Sequence, residues 1–334
     1  MTFSVPSEPT TTIIKEAVQK ARQAKVDLVI GIGGGSVLDT GKVVAAMMTN
    51  KGRLEEYLEM SGDGKPITQN PLPYIAIPTT AGTGAEVTCN SVIGAVEHKV
   101  KVSMRSLLML PRVAVVDPAL TDSMPPSVTA STGLDALTQL IEAYVSNKAN
   151  PLTDGICREG IKRAGRSLRQ AYENGSNQVA RDDMALASLF SGLALANAKL
   201  GAVHGFAGPL GGMISAGHGV ICARLLPLVC QANVQALEWH GHPGRVHGLE
   251  ARATARYDEI AQLLTGKATA RAVDGVNWLQ ELCADLAVPS LSKFGLKEED
   301  FPEIVAKAQS SSSMKGNPIA LTDDELMQIL KKAI

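Results

Sequence analysis

"VIGIGGGSVLDTGK", residues 29–42, decides how the first half of the chain folds. A β-branched run enters it, three consecutive glycines (Gly33 to Gly35) interrupt it, and apolar residues at helical spacing follow. Glycines between a strand and a helix let backbone N–H groups approach a diphosphate, and the positive end of the helix favours its charge. Gly31-x-Gly33-x-x-Ser36 is a near miss for the dinucleotide fingerprint, and no acidic residue ends a second strand ~20 residues on. The competing reading is a tight turn with Ser36 as N-cap and Asp39 at N3. The two are compatible, and the strand–glycine–helix order favours phosphate binding.

Working outward, "KEAVQKARQA" (15–24) carries helical spacing, while "PYIAIPT" (73–79) and "RVAVVDP" (112–118) are short strands like "VDLVIGI" (26–32). Nearly continuous apolar strands separated by helices predict a parallel sheet covered on both faces. Beyond Pro125-Pro126 the strand signal stops, and 184–200, 220–237 and 275–286 read as helices. "LTDDELMQILKKAI" (321–334) opens with Thr322 and Glu325 in capping-box spacing. The expected organisation is an α/β nucleotide-binding domain over 1–122, followed by an all-α domain over 123–334.

Composition narrows the function. With 334 residues and 45% hydrophobic content the chain can bury two cores. A formal net charge of −1 argues against a nucleic-acid or membrane-surface partner. No apolar run approaches the ~20 residues of a membrane span, and "MTFSVPSEPTTT" lacks a signal-peptide core. Cys89, Cys157, Cys222, Cys230 and Cys283 are odd in number and free of CxxC spacing, which fits reduced thiols in a cytoplasmic protein.

The chemistry concentrates in three places. "IPTTAGTGAEVT" (77–88) follows a strand, where parallel sheets bind ligands, although taken alone a surface turn explains it better. "GLDALTQLIEAYVS" (133–146) puts Asp135 and Gln139 four apart, hence on one helical face. Glu142 lies on the same face, positioned to support a ligand. "GAVHGFAGPLGGMISAGHGV" (201–220) supplies His204 and His218 amid small residues. Spacing alone leaves two readings open, a metal site and hydrogen-bonded core histidines. His240, His242 and His247 fall in the glycine-rich stretch 238–248, read as a solvated loop.

Together "GGGSVLDTGK", "IPTTAGTGAEVT", "DPALTDSMPPSVTASTGLDAL", "EAYVS", "GAVHGFAGPLGG" and "GHGVICARLLP" resemble, in order and spacing, the iron-containing (group III) alcohol dehydrogenase family. The resemblance runs from about residue 12 to the end. It implies a Rossmann-like α/β nucleotide domain and an all-α metal-binding domain. The implied activity is an NAD- or NADP-linked oxidoreductase interconverting an alcohol and an aldehyde or ketone. Gly34, Gly35, Ser36 and Asp39 would lie against the diphosphate and ribose. Thr79, Thr80, Thr83 and Thr88 would line the cleft, and Lys101 would reach the ribose hydroxyls. The family's metal-ligand and catalytic positions fall on Asp135, His204 and His218, with Gln139 in the remaining ligand position. The implied partner is a small alcohol or aldehyde, and the implied assembly a cytoplasmic homodimer.

Three departures follow. The family carries histidine where Gln139 stands, so the iron(II) or zinc would be weakly held. Many members place a histidine four residues beyond the third ligand, where this chain has Gly208. Members also begin roughly sixty residues earlier, so the nucleotide domain reads as N-terminally truncated. The alternatives are a degenerate homologue that survives as a folded dimer, and a metal-free reductase or lyase of the superfamily shared with dehydroquinate synthase.

Overall fold

A computed structural model describes residues 1–59, 64–95, 100–240 and 249–334. Helix α1 (Thr11–Gln23) precedes strand β1 (Val29–Gly33), helix α2 (Gly35–Thr49) and strand β2 (Tyr74–Pro78). A hairpin of β3 (Asn90–Ala95) and β4 (Val100–Arg105) follows, then the two-residue strand β5 (Val113–Ala114). The sheet is parallel, in the order β1-β2-β5, with Val29 opposite Tyr74 and Ile75 opposite Val113. The antiparallel β3-β4 pair is separate from it, and the strand reading of the sequence missed it.

Two expectations are corrected here. The N-cap of α2 is Gly34, not Ser36, and no side chain caps this end. Asp39 instead accepts a hydrogen bond from the Val92 N–H of β3 at 2.8 Å, so the Ser36–Asp39 capping box does not form. Nor is the sheet covered on both faces among the described residues. Helix α2 packs on one face, where Tyr74 donates to the Leu38 carbonyl at 3.0 Å. On β1 the alternating side chains Ile30 and Ile32 point the other way and are 53% and 61% exposed.

From Pro126 onward the chain is helical: α3 (Pro126–Val145), α4 (Pro151–Glu173), α5 (Gln178–Asn197), α6 (Ala202–Met213), α7 (His218–His240), α8 (Leu249–Thr265), α9 (Ala272–Asp285), α10 (Phe301–Ser310) and α11 (Asp323–Ala333). Thr322 and Glu325 form the capping box expected of α11. Helix α3 is the hub. Every residue from Gly133 to Val145 is buried, and the helix packs against α4, α5 and α7. Gly133 of α3 and Gly160 of α4 allow the close approach, since a Cβ would lie 2.3 Å from Leu168 at the first and 2.7 Å from Leu140 at the second.

Helix α7 is apolar enough over His218–Trp239 to pass for a membrane span by length and composition, contrary to the sequence expectation, but 67% of that window is buried inside the fold. A core helix satisfies the same test. Pro227 removes one of its backbone donors. The freed carbonyl, Ala223 O, accepts instead from the Cys283 thiol at 3.4 Å. All five cysteines are free. Residues 238–240, read as the start of a loop, are the last turn of α7, while His242 and His247 lie outside the described residues.

Candidate active site

Three helices bring the metal-type residues together. Asp135 and Gln139 come from the buried face of α3, His204 from the first turn of α6, and His218 opens α7. Asp135 Oδ1 lies 3.4 Å from His204 Nε2 and 3.8 Å from His218 Nε2. A fourth donor, which the sequence reading counted only as a free thiol, stands among them. Cys222 Sγ is 3.8 Å from His204 Nε2 and 3.6 Å from His218 Nε2. The donor atoms of Asp135, His204, His218 and Cys222 all lie within 4.8 Å of one another. The signal was present, because Cys222 follows His218 by four residues, the spacing already used for Asp135 and Gln139.

Glu142 fixes this arrangement. Its Oε1 accepts the Val203 N–H at 2.7 Å, anchoring the start of α6, and its Oε2 is 2.6 Å from His204 Nδ1. The carboxylate therefore takes the Nδ1 proton and leaves Nε2 aimed at the cluster. The supporting role expected for Glu142 is what the geometry displays.

The electrostatics favour a cation. Asp135 Oδ1 and Gln139 Oε1 are buried and accept no hydrogen bond from the protein. Burial would raise the Asp135 pKa, but His218 and His204 outweigh it and hold the carboxyl below its usual range. Burial would lower His204, yet Cys222, Asp135 and Glu142 hold it well above the usual imidazole value. For His218 burial outweighs the Asp135 charge and lowers the imidazole pKa. Burial, then the Asp135 charge, pushes the Cys222 thiol up to about 12. The donor set of nitrogen, oxygen and sulfur, gathered within 4.8 Å around an acidic side chain, suits a divalent transition metal.

The nucleotide-type residues gather at the carboxyl ends of β1 and β2. A Cβ at Gly34 would come within 3.3 Å of Thr80 Oγ1, and one at Gly35 within 2.8 Å of Thr83 Oγ1. The Thr79 N–H donates to the Gly33 carbonyl at 3.0 Å. Gly84 holds the threonine loop against α5. Its φ is +59°, and any Cβ there would lie 2.5 Å from the Gly192 nitrogen. No side chain caps the first N–H groups of α2, at Gly35 and Ser36, an arrangement chemically suited to an anion.

Three of the expected contacts are turned elsewhere. Asp39 pairs with Lys42 Nζ at 2.9 Å, and Thr88 Oγ1 accepts from the same ammonium at 2.9 Å. Lys42, unnoticed in the sequence, is buried beneath the loop and braces α2 to β3. Lys101 pairs with Glu8 at 2.5 Å beside Gly211 of α6. Glu8 also accepts the His218 N–H at 3.0 Å, so the segment before α1 is tied to the helix that carries two metal-type donors. Gly208, one turn beyond His204, has nothing within 4 Å of where a Cβ would stand.

Comparison with known proteins identifies the family. Residues 1–118 match the family described as iron-containing alcohol dehydrogenase, and residues 129–334 match the C-terminal part of the Fe-containing alcohol dehydrogenase family. The chain is 38% identical to long-chain-alcohol dehydrogenase 1 of Geobacillus thermodenitrificans, over 98% of this chain and 80% of that one. It is 36% identical to 1,3-propanediol dehydrogenase of Klebsiella pneumoniae, over 98% and 81%. Among solved structures, sulfoacetaldehyde reductase from Bifidobacterium kashiwanohense in complex with NAD+ superposes with a TM-score of 0.84 at 30% identity, covering 99% of this chain and 82% of that one.

Proposed function

The chain belongs to the iron-containing alcohol dehydrogenase family, and from that premise we propose that it interconverts an alcohol and an aldehyde or ketone by hydride exchange with NAD or NADP. The observation that carries the reading is the convergence of Asp135, His204 and His218, from three helices, on one buried point. The unsatisfied Asp135 Oδ1 and the donor chemistry fit a divalent cation, iron or zinc. Gln139 offers that cation only a neutral amide oxygen. The glycine cradle at α2, with Thr79, Thr80 and Thr83 across from it, fits the diphosphate and ribose of the dinucleotide. Asp39 and Thr88 support that cradle through Lys42, and Lys101 would have to exchange its pairing with Glu8 to meet the ribose.

When bound, the cation acts as a Lewis acid that polarises the reacting oxygen. The remaining work belongs to side chains of this protein. Asp135 contributes the negative charge that localises the cation, and Glu142 holds the His204 ring so that Nε2 faces it. His218 presents its Nε2 from the first turn of α7, 3.8 Å from Asp135 Oδ1. At Gly208 no side chain takes up a proton, so the alcohol proton leaves by water through the open space there. We place the division between the two domains at residues 122 and 123, and we take the active form to be a cytoplasmic homodimer. The assembly and compartment rest on family resemblance and on the free cysteines.

The test is NAD(P)H oxidation over a panel of aldehydes and ketones, before and after chelation and after readdition of zinc or iron(II). Turnover that disappears with the metal and returns with it is the expected result. Turnover unaffected by chelation, or no turnover at all with metal restored, overturns the reading.

A further inference from the structure

We propose that Cys222 is a metal ligand whose thiolate completes a four-donor site with Asp135, His204 and His218, and that the site consequently prefers zinc or cobalt to hard cations. The inference rests on the proposed function for the presence of a metal, and adds which atoms hold it. A tetrahedral ion with bonds of about 2.0–2.1 Å to nitrogen and oxygen and about 2.3 Å to sulfur sets its donors about 3.3–3.6 Å apart. The distances are 3.4 and 3.8 Å from Asp135 Oδ1 to the two imidazole Nε2 atoms. From Cys222 Sγ to the same two atoms they are 3.8 and 3.6 Å. Four of the six edges thus lie within a few tenths of an ångström of a coordination tetrahedron, and the remaining two are no longer than 4.8 Å.

The neighbouring candidate for the fourth corner is weaker. Gln139 is buried on the Asp135 face of α3 with its Oε1 unpartnered, but an amide oxygen is neutral and hard. The Cys222 thiol lies against both imidazoles and hydrogen-bonds to the Asp135 carboxylate, so its sulfur is already turned toward the other three donors. On binding, one metal–sulfur bond forms and the thiol proton leaves to solvent, with no change of oxidation state. The thiolate adds a negative charge to the one from Asp135, balancing a divalent cation. Zinc accommodates a fifth donor, so four protein ligands still admit a substrate oxygen.

Cobalt(II) makes the thiolate visible. The metal-stripped full chain is titrated with cobalt(II), reading bound metal by analysis and the near-ultraviolet thiolate-to-cobalt charge-transfer band by absorption, with zinc competition for affinity. The expected result is one band per cobalt bound, its loss in Cys222→Ser with cobalt still binding, and a zinc affinity weaker by at least about tenfold in that variant. Adding Gln139→His to Cys222→Ser should recover affinity without the band, because an imidazole then supplies the fourth donor from α3. Cobalt bound without the band, or a band that survives Cys222→Ser, overturns the thiolate ligand and leaves the metal site standing. No cobalt bound by wild type, with folding intact by thermal melting, overturns both. Cys222→Ser with unchanged zinc affinity also overturns the proposal.

Discussion

At the first turn of α2 the groups that would face an anion are backbone N–H donors, made accessible by Gly34 and Gly35. At the junction of α3, α6 and α7 the groups that would face a cation are side chains. The first kind of site is set by chain direction and by what is missing from each residue. The second is set by where four side-chain atoms meet and by Glu142 behind one of them. The difference is also energetic. An uncapped helix end keeps its donors near solvent at little cost, whereas Asp135 and Gln139 are 1% and 2% exposed with acceptors unsatisfied. One half of the cleft should therefore resist side-chain changes that would abolish the other.

Asp135→Asn is the sharpest way to separate the halves. It removes the charge that localises the cation, and kcat should fall at least about a thousandfold, while nucleotide affinity measured by NADH fluorescence stays near wild type. Lys42→Met strikes the scaffold of the other half. Leaving Asp39 and Thr88 without their ammonium should cost about 3 kcal/mol in urea unfolding, with metal content per folded chain unchanged. A pH experiment locates the acid weakness in the helical half. Burial would raise the Asp183 pKa, but Arg166, Ser167 and Arg163 outweigh it and hold it below the usual aspartate value. Its contribution is thus complete above that usual value and lost as pH falls through the lowered one. Asp183→Asn should cost about 2 kcal/mol at pH 7 and flatten the acid limb of stability below the usual aspartate range.

Gly35→Val puts a Cβ 2.8 Å from Thr83 Oγ1. The expected outcome is a nucleotide Kd raised about tenfold, or 1.4 kcal/mol, with a smaller shift in unfolding. Equal losses would reduce the glycine turn to a structural device. Gly208→His is the mildest change, since its Cβ meets nothing within 4 Å. Stability should move by no more than about 0.5 kcal/mol, and the pH–rate profile should gain an inflection in the imidazole range. An unaltered profile would show that water alone carries the proton.

The strand–glycine–helix order and the helical second half were legible because both are periodic patterns in local sequence. The hairpin β3-β4 was not, since "NSVIGA" and "VKVSMR" are short, and their pairing depends on α1, α2 and the buried Lys42 around them. Asp135, His204 and His218 came from the family resemblance, as their meeting point depends on how α3, α6 and α7 cross. Cys222 was missed although it repeats the i, i+4 spacing, because a thiol in an apolar run looks like core. Glu8 offered no signal at all: its bonds to Lys101 and His218 join positions some 90 and 210 residues away. Asp39 and Thr88 were read as cleft residues, and only the position of Lys42 shows them facing inward.

The unsatisfied oxygens of Asp135 and Gln139 reach beyond catalysis. Each buried acceptor left without a partner costs about 1–3 kcal/mol, a large share of what holds an ordinary domain folded. A cation that binds only the folded chain returns stability by mass action, about 2.7 kcal/mol at a hundred times its Kd. Metal supply then governs how much of this protein a cell keeps. When the free cation falls below its Kd, the unfolded fraction rises and proteases remove it, so scarcity lowers abundance as well as the turnover of each molecule.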